Sequence, residues 1–232
     1  MEPVPEEWQR AVAIAAHPDD LEYGLAGAFA RWSAQGKEIS YVLVTSGEAG
    51  IDSLDPNEAR AVREREERDA ASIVGVTHVE FLGHRDGTVE YSLALRRDIA
   101  GAVRRLRPEV VFATNFDLTW GGEGPVNHAD HRAVGLAVLD ACRDAANRWL
   151  FTDYGAPWQG LQALYVFAQP PPTHFVDVSD TFAVGMESLH AHRAYLDALG
   201  GSDPKEFIRG FARSAGETVG CELAVTLRRM AV

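Results

Sequence analysis

Two short stretches of the sequence carry side chains that can bind a metal ion. The first, AHPDD, places His17 and Asp20 three residues apart in a turn that its proline stiffens. The second, NHADH, places His128 and His131 at the same spacing, after a glycine-rich segment, WGGEGP. Two histidines and one carboxylate with an open fourth position are the usual ligand set of a catalytic zinc ion that activates water. Together the two stretches therefore indicate a metal site.

The adjacent carboxylates of Asp19 and Asp20 suggest a division of labour. Both cannot bind one ion as equal ligands without crowding like charges. We expect one of them to bind the metal and the other to take a proton from water and then donate it to a leaving amine. One further histidine can stabilise, as an imidazolium, the oxyanion of a tetrahedral intermediate. Asp130 can hold such a histidine in position.

Each stretch alone also has a simpler explanation. An aspartate after a strand often caps the following helix, and a pair of histidines three residues apart is more often not a ligand pair. The pairing of the two stretches, each after a predicted strand, favours a site. For the remaining histidines we expect surface positions or hydrogen-bonded core positions: His78, His84, His174, His190 and His192.

The two stretches lie far apart in sequence, so the fold must bring them together. The chain alternates between apolar runs typical of buried strands and segments with helical periodicity. We predict strands at residues 12–16, 38–47, 78–83, 109–115, 163–168 and 173–179. We predict helices at residues 25–35, 55–75, 92–108, 128–147 and 181–200.

This alternation predicts an α/β fold with a Rossmann-like, mostly parallel sheet and helices on both faces. Such sheets bind ligands beyond the carboxyl ends of their strands. The AHPDD and NHADH stretches both follow predicted strands, so we expect the active site at the C-terminal edge of the strands. The length suits one domain, residues 1–232.

The composition excludes several classes of function. The net charge is −12, and phosphate binding needs a basic surface, so DNA, RNA and anionic lipid are not expected as the main partners. The sequence contains no GxGxxG or GxxxxGK[ST] motif for nucleotides and no GxSxG motif for a serine hydrolase. The sequence contains no run of about 18 apolar residues, so no membrane span is predicted.

The two cysteines, Cys142 and Cys221, have no CxxC partners, so no zinc–thiolate motif is predicted. A single disulfide between them is possible, but two reduced thiols in a cytoplasmic protein is the preferred interpretation. The N-terminal MEPVPEEWQR has neither the basic region nor the apolar region of a signal peptide. These features predict a cytoplasmic location.

AHPDDLEYG together with PVNHADHRAV resembles the LmbE-like, or PIG-L, family of zinc-dependent N-deacetylases. The family's signatures are (P/A)HPDD after the first strand and PxxHxDH later in the chain. Pro125, His128, Asp130 and His131 match the second signature in full. Glu22 gives the HPDDxE form, which is similar to the bacillithiol-type branch. The resemblance covers most of the chain.

The resemblance implies a hydrolase that removes acetyl from an N-acetylglucosaminyl-type substrate, a small amino-sugar conjugate. It implies that His17, Asp20 and His131 bind zinc, and that Asp19 is the general base and then the general acid. Iron is an alternative to zinc in the cell, because the ligand set accepts both ions. Members of the family are often multimeric, so a homo-oligomer is left open.

The resemblance also implies roles for residues around the metal. His128 polarises the amide carbonyl and stabilises the oxyanion, and Asp130 supports a histidine. Three further residues are expected to bind substrate: Glu48 in TSGEAG, Arg63 in REREERDAASIVG and Asp86 in GHRDG. Arg63 also lies in a run of alternating charges, which is typical of a solvated helix face.

Two other functions remain open from the sequence. The protein can be a zinc amidase for a larger acyl or thiol-conjugate amide, which would favour a wider apolar pocket near TDYGAPWQG (residues 152–160). Tyr154 and Trp158 in that segment can instead pack on the fold, which is the preferred interpretation. Alternatively, the protein can be a non-catalytic sugar-binding protein that retains the fold, but every expected ligand position is filled.

Overall fold

The computed structural model describes residues 1–120, 124–200 and 203–232. Its strands are β1 (Glu2–Pro3), β2 (Arg10–Ala15), β3 (Glu38–Leu43), β4 (His78–Phe81), β5 (Val110–Ala113), β6 (Ala163–Phe167), β7 (His174–Asp177) and β8 (Ala224–Met230). They form one sheet in the order β1-β7-β8-β6-β5-β2-β3-β4. β8 runs antiparallel to both of its neighbours, and the other pairs are parallel.

Seven α-helices lie in the described residues: α1 (Ala26–Ala34), α2 (Pro56–Ile73), α3 (Leu93–Leu106), α4 (Ala129–Ala146), α5 (Phe182–Leu189), α6 (Arg193–Ala198) and α7 (Lys205–Val219). Three of them begin at side-chain caps, formed by Asp55, Ser92 and His128. Asp55 Oδ1 accepts a hydrogen bond from the N–H of Asn57 at 2.9 Å, and Ser92 Oγ accepts one from the N–H of Leu95 at 3.2 Å.

The two faces of the sheet are covered by different helices. Val12 and Ile14 of β2 belong to the apolar core formed with α3 and α4. Ala13 and Ala15 face the opposite side and belong to the core formed with α1, α5 and α7. Because successive side chains of a strand point to opposite faces and both faces are covered, β2 is apolar along nearly its whole length.

The chain changes direction across the sheet between β2 and β5. From β2 it continues through β3 and β4 on one side, and it then crosses back to place β5 and β6 on the other side of β2. Residues that follow β2 and β5 therefore meet beyond the carboxyl ends of both strands. Such a switch point is where an α/β sheet holds its ligands.

The predicted fold class is confirmed, but the single helix predicted over residues 181–200 is wrong. The structure has two helices there, α5 and α6, separated by a turn at residues 190–192. The turn directs the ring of His192 into the interior, 3.6 Å from carboxylate oxygens of Glu22 and of Glu67. The predicted helix is thus interrupted at the point where the ring of His192 is buried.

The C-terminal elements α7 and β8 were not predicted from the sequence, nor was the short strand β1. The pattern for α7 is present, because Ile208, Ala212 and Gly216 are buried at intervals of four residues. β8 lies between β6 and β7 and supplies the antiparallel part of the sheet. None of the helices within residues 1–120, 124–200 and 203–232 combines the length and the apolar composition that a membrane span requires.

Candidate metal centre and active site

Three side chains from the two sequence stretches meet at the switch point. His17 and Asp20 lie in the turns that follow β2, and His131 lies in the first turn of α4. Nε2 of His131 is 2.9 Å from Oδ1 of Asp20 and 3.2 Å from Nδ1 of His17. Nδ1 of His17 is 3.6 Å from Oδ2 of Asp20. Possible ligand atoms of the three residues all lie within 4.8 Å of one another.

The other ring nitrogen of each histidine faces an oxygen acceptor. Nε2 of His17 is 3.1 Å from Oδ1 of Asp86 and 3.2 Å from Oδ2 of Asp130. Nδ1 of His131 is 2.9 Å from Oδ1 of Asn127. Protons on these outer nitrogens leave lone pairs on the two inner nitrogens, which face the cluster. Histidines that bind metals are oriented in this way, so the donor set fits a divalent cation.

The carboxylates around the cluster favour a positive charge within it. Burial raises the pKa of Asp20, but the charge and hydrogen bond of His131 and the hydrogen bond of His17 outweigh burial and hold that pKa well below its usual value. Burial lowers the pKa of His17, but hydrogen bonds to Asp130, Asp20 and Asp86 outweigh it and hold that pKa well above its usual value. A cation bound by His17 and Asp20 would supply the positive charge that these carboxylates favour, in place of the proton on His17.

Asp19 is held in a strained conformation beside the cluster. Its φ is 87°, in the left-handed region that residues other than glycine rarely adopt. The N–H of Asp19 donates to Oε2 of Glu67 at 3.1 Å, and Nη2 of Arg63 donates to Oδ1 of Asp19 at 2.8 Å. Burial raises the pKa of Asp19 and the charge of Arg63 partly offsets this, so the pKa is about 6. Strain of this kind is typical of functional sites.

His128 lies at the N-cap of α4 and its side chain is accessible to solvent. Its Nδ1 accepts a hydrogen bond from the N–H of Asp130 at 3.4 Å, so in the neutral ring Nε2 carries the proton. The ring centroid is 4.9 Å from that of His17 and 5.5 Å from that of His131. Burial and the charges of these two histidines lower the pKa of His128. The structure thus favours a neutral donor over the imidazolium expected from the sequence.

Asp130 is fully buried and orients the ring of His17. Oδ2 accepts from the N–H of Gly87 at 2.7 Å and contacts Nε2 of His17, while Oδ1 accepts from the N–H of Val89 at 3.1 Å. The backbone thus fixes the carboxylate, and the carboxylate fixes the ring of His17. Asp130 of the NHADH stretch therefore supports His17, which belongs to the AHPDD stretch.

The three residues expected to bind substrate are all buried and contact the protein's own groups. Arg63 is 2 % exposed, Glu48 7 % and Asp86 8 %. Arg63 holds the Asp19 turn, Asp86 contacts His17, and Oε1 of Glu48 pairs with Arg60 at 3.1 Å. Contact of these residues with substrate stays a prediction, and the geometry favours a positioning role for Arg63.

Sequence reasoning missed four residues of the site's surroundings. Asn127 is within NHADH, but an amide gives no metal-ligand signal. Glu67 is hidden in the charged run of α2, and Glu22 was noted only as part of a motif. His192 was expected to be an ordinary histidine, yet it lies fully buried beside both glutamates.

The aromatic segment at residues 152–160 lies away from the site. Trp158 Nε1 donates to the carbonyl of Pro108, which precedes β5, at 2.6 Å. The guanidinium of Arg97 lies 4.9 Å from the ring centroid of Tyr154. Both rings therefore pack on the fold, as preferred from the sequence, and these contacts give no support to an acyl pocket in this segment. Residues 121–123 of the glycine-rich segment lie outside the described residues.

Comparisons with known proteins find deacetylases among the relatives of this chain. Diacetylchitobiose deacetylase of Thermococcus kodakarensis is 28% identical over 194 residues, which cover 80% of this chain and 70% of the relative. Probable N-acetyl-alpha-D-glucosaminyl L-malate deacetylase 2 of Bacillus anthracis is 28% identical over 191 residues, which cover 79% of this chain and 80% of the relative.

The solved structure of N,N'-diacetylchitobiose deacetylase from Pyrococcus horikoshii superposes with a TM-score of 0.88 at 25% sequence identity, covering 97% of this chain and 85% of that chain. Residues 12–142, more than half of the chain, match the PIG-L family, described as GlcNAc-PI de-N-acetylase. The chain therefore belongs to the PIG-L family.

Proposed function

We propose that this protein is a metal-dependent hydrolase that removes the acetyl group from an N-acetylglucosaminyl-type conjugate. The observation that carries the proposal is the convergence of His17, Asp20 and His131 at one switch point, with Asp19 held beside them. Two imidazoles, a carboxylate and an adjacent base are the groups that metal-assisted amide hydrolysis uses. The three relatives described above are deacetylases, which supports the same reaction.

The protein's own residues can carry out the proton transfers of this reaction. A divalent cation bound by the three ligands supplies Lewis acidity and lowers the pKa of water. Asp19 takes a proton from the attacking water as the new C–O bond forms at the amide carbon. The same carboxyl group then gives that proton to the amide nitrogen as the C–N bond breaks, which releases acetate and a free amine. A pKa of about 6 allows Asp19 to act in both directions near neutral pH.

His128 is placed to stabilise negative charge on the substrate. Because Nδ1 is occupied by the N–H of Asp130, the neutral ring presents Nε2–H as its donor. We propose that this group donates a hydrogen bond to the carbonyl oxygen of the amide as it becomes an oxyanion. A neutral donor does not add a further positive charge next to His17 and His131.

Zinc is the proposed ion, because a catalytic site with two histidines and one carboxylate is a usual zinc site. The same ligands accept iron. Metal analysis of protein purified without added metal, followed by activity measurements after chelation and after reloading with Zn²⁺ or Fe²⁺, distinguishes the two ions. Activity that survives complete removal of metal would contradict the proposal.

The substrate class is tested by acetate release. The panel contains N-acetylglucosamine, N,N'-diacetylchitobiose and N-acetylglucosaminyl malate, together with the same amines carrying longer acyl chains. We expect metal-dependent release from at least one acetylated sugar and release that is about 10²–10⁴-fold slower from the Asp19→Asn variant. Release from longer acyl amides alone would replace the deacetylase with the amidase, and sugar binding without turnover would indicate the non-catalytic alternative.

We also propose that residues 1–232 form one domain, because a single sheet includes strands from Glu2–Pro3 to Ala224–Met230. We propose further that the protein is located in the cytoplasm. This proposal is supported by Cys142 and Cys221, which are both free thiols.

A further inference from the structure

A second cluster of metal-binding side chains lies in the interior. Glu22 follows the Asp19 turn, Glu67 lies on α2, and His192 lies between α5 and α6. Glu22 and Glu67 contact the same ring nitrogen: Nε2 of His192 is 3.6 Å from Oε2 of each glutamate. Possible ligand atoms of the three residues lie within 4.8 Å of one another, and all three residues are buried.

Most polar atoms of this cluster have no hydrogen-bond partner. Both oxygens of Glu22, Oε1 of Glu67 and both ring nitrogens of His192 are buried and unpaired within the described residues. Oε2 of Glu67 accepts the N–H of Asp19 at 3.1 Å. Buried polar atoms in native proteins are nearly always satisfied, so several unpaired atoms that face one another indicate a ligand between them.

The spacing of the three side chains distinguishes between kinds of ligand. A separation of 3.6 Å is too long for a direct hydrogen bond. A water that accepts or donates at about 2.8 Å with tetrahedral angles would hold its partners about 4.6 Å apart. A tetrahedral zinc ion with bonds of about 2.0–2.1 Å holds its ligands about 3.3–3.4 Å apart. The observed spacing is therefore closer to that of a metal site.

The charges of the cluster favour the same ligand. Burial raises the pKa of both Glu22 and Glu67, so each carboxylate stays ionised in the interior only beside a compensating cation. Arg63 is the nearby cation, but its Nη2 already donates to Asp19 and to the carbonyl of Pro18. A divalent cation with a neutral imidazole ligand balances both carboxylates.

We propose that Glu22, Glu67 and His192 bind a second, structural divalent transition-metal ion such as Zn²⁺, in addition to the ion held by the three ligands at the switch point. The site is closed to solvent, which is typical of structural rather than catalytic zinc. The ion ties together the turn after β2, helix α2 and the break between α5 and α6. Through Glu67, it also fixes the backbone of Asp19. This inference does not depend on the proposed deacetylase activity.

The experiment counts metal ions per chain by elemental analysis. Because the site is buried, each protein is unfolded in the presence of a chelator, refolded with excess Zn²⁺ and desalted. One variant, Asp20→Asn with His131→Gln, removes the switch-point ligands. A second, Glu22→Gln with His192→Gln, removes buried ligands with little change of volume. Glu66→Gln is the matched control, since Glu66 is also buried on α2 but accepts from the N–H of Ala194 at 2.8 Å.

We expect two ions in the wild type and in the control, and one ion in each of the two double variants. The Asp20→Asn/His131→Gln protein should also melt at a higher temperature with Zn²⁺ than with a chelator, because an ion that binds only the folded state stabilises it. X-ray absorption of the ion retained in that variant should show one imidazole among oxygen ligands.

The proposal is overturned if the Asp20→Asn/His131→Gln protein folds, as judged by circular dichroism, but retains no ion after refolding with Zn²⁺. An ion count of two in the Glu22→Gln/His192→Gln protein would also overturn it. If that protein fails to fold, the melting temperature of the Asp20→Asn/His131→Gln protein decides the question, and an unchanged value with Zn²⁺ and with chelator counts against the site. None of these measurements uses enzymatic activity, so failure of the proposed function leaves the result interpretable.

Discussion

Nη2 of Arg63 donates to Oδ1 of Asp19 at 2.8 Å, and Arg63 is only 2 % exposed. The same helix, α2, supplies Glu67 four residues later, whose carboxylate accepts the N–H of Asp19. Residues four apart lie on one face of a helix, so one face of α2 holds both the side chain and the backbone of the proposed base. Two residues of α2, which lie outside the turn that contains Asp19, thus hold Asp19 in its conformation with φ of 87°.

Replacement of Arg63 by Met should lower kcat by about 10²-fold, which is the cost of a misplaced catalytic group. KM should change little, because Arg63 acts on Asp19 and not on the substrate. If Arg63 binds substrate instead, KM should rise while kcat is retained. Steady-state kinetics separate the two outcomes.

The matched control for Arg63 is Arg68→Met. Arg68 lies on the same helix, its side chain is 50% exposed, and it pairs with Glu64 rather than with Asp19. We expect kcat of this variant to stay close to the wild-type value. Circular dichroism of both variants shows whether the buried substitution has disturbed the fold.

The Asp19→Asn variant should lose about 10²–10⁴-fold in kcat, the usual contribution of a general acid–base group. It should keep the ion at the switch point, because the ligand atoms belong to His17, Asp20 and His131. Acetate release and metal content are measured on the same sample. A near-normal rate would remove Asp19 from the proton transfers, and loss of the ion would make it a ligand.

The pH dependence of kcat/KM should report the ionisation of Asp19. The carboxyl group acts as a base only when ionised, so activity should fall as the pH drops through its pKa. Burial places this pKa at about 6, even though the charge of Arg63 lowers it. A bound divalent cation favours the carboxylate further, so the acidic limb of the profile should lie at pH about 6 or below.

The Arg63→Met variant tests this assignment. Loss of the positive charge beside Asp19 removes a cause that lowers the pKa, so the acidic limb should move to higher pH. The rates of the two proteins are compared across the pH range at saturating metal. An acidic limb that stays in place in the variant would show that a different group sets it.

The convergence of His17, Asp20 and His131 at the switch point could be predicted because these residues lie in two local patterns. AHPDD and NHADH each follow a strand, and alternation of strands and helices was enough to place both at one edge of the sheet. The meeting of these three residues therefore depends on the topology of the sheet, and the hydrophobic pattern of the sequence indicates that topology.

The supporting residues could not be predicted, because their partners are distant in sequence. Glu67 and Arg63 read as part of a solvated charged face, and only the packing of α2 over the turn after β2 buries them. His192 lies where helical periodicity predicts a continuous helix, and tertiary contacts with Glu22 override that pattern. Local sequence patterns carry no signal for contacts of this kind.

Asp130→Asn should weaken metal binding at the switch point by about 10–100-fold, the usual effect of removing a carboxylate that orients a ligand. The amide oxygen can take the place of Oδ2 and accept the N–H of Gly87, but the amide NH2 then faces the N–H of Val89, which loses its acceptor. The variant also loses the negative charge that favours a proton on Nε2 of His17 and a metal on Nδ1. The ring of His17 is then less firmly held, and its lone pair is a weaker donor.

Competition with a chromogenic chelator measures this affinity. Asp140→Asn on the same helix is the control, because its side chain is 41% exposed and it pairs with Arg96 rather than with a histidine of the site. We expect the control to bind metal like the wild type. Equal affinities for the wild type and Asp130→Asn would show that Asp86, the other carboxylate at Nε2 of His17, is sufficient to orient the ring.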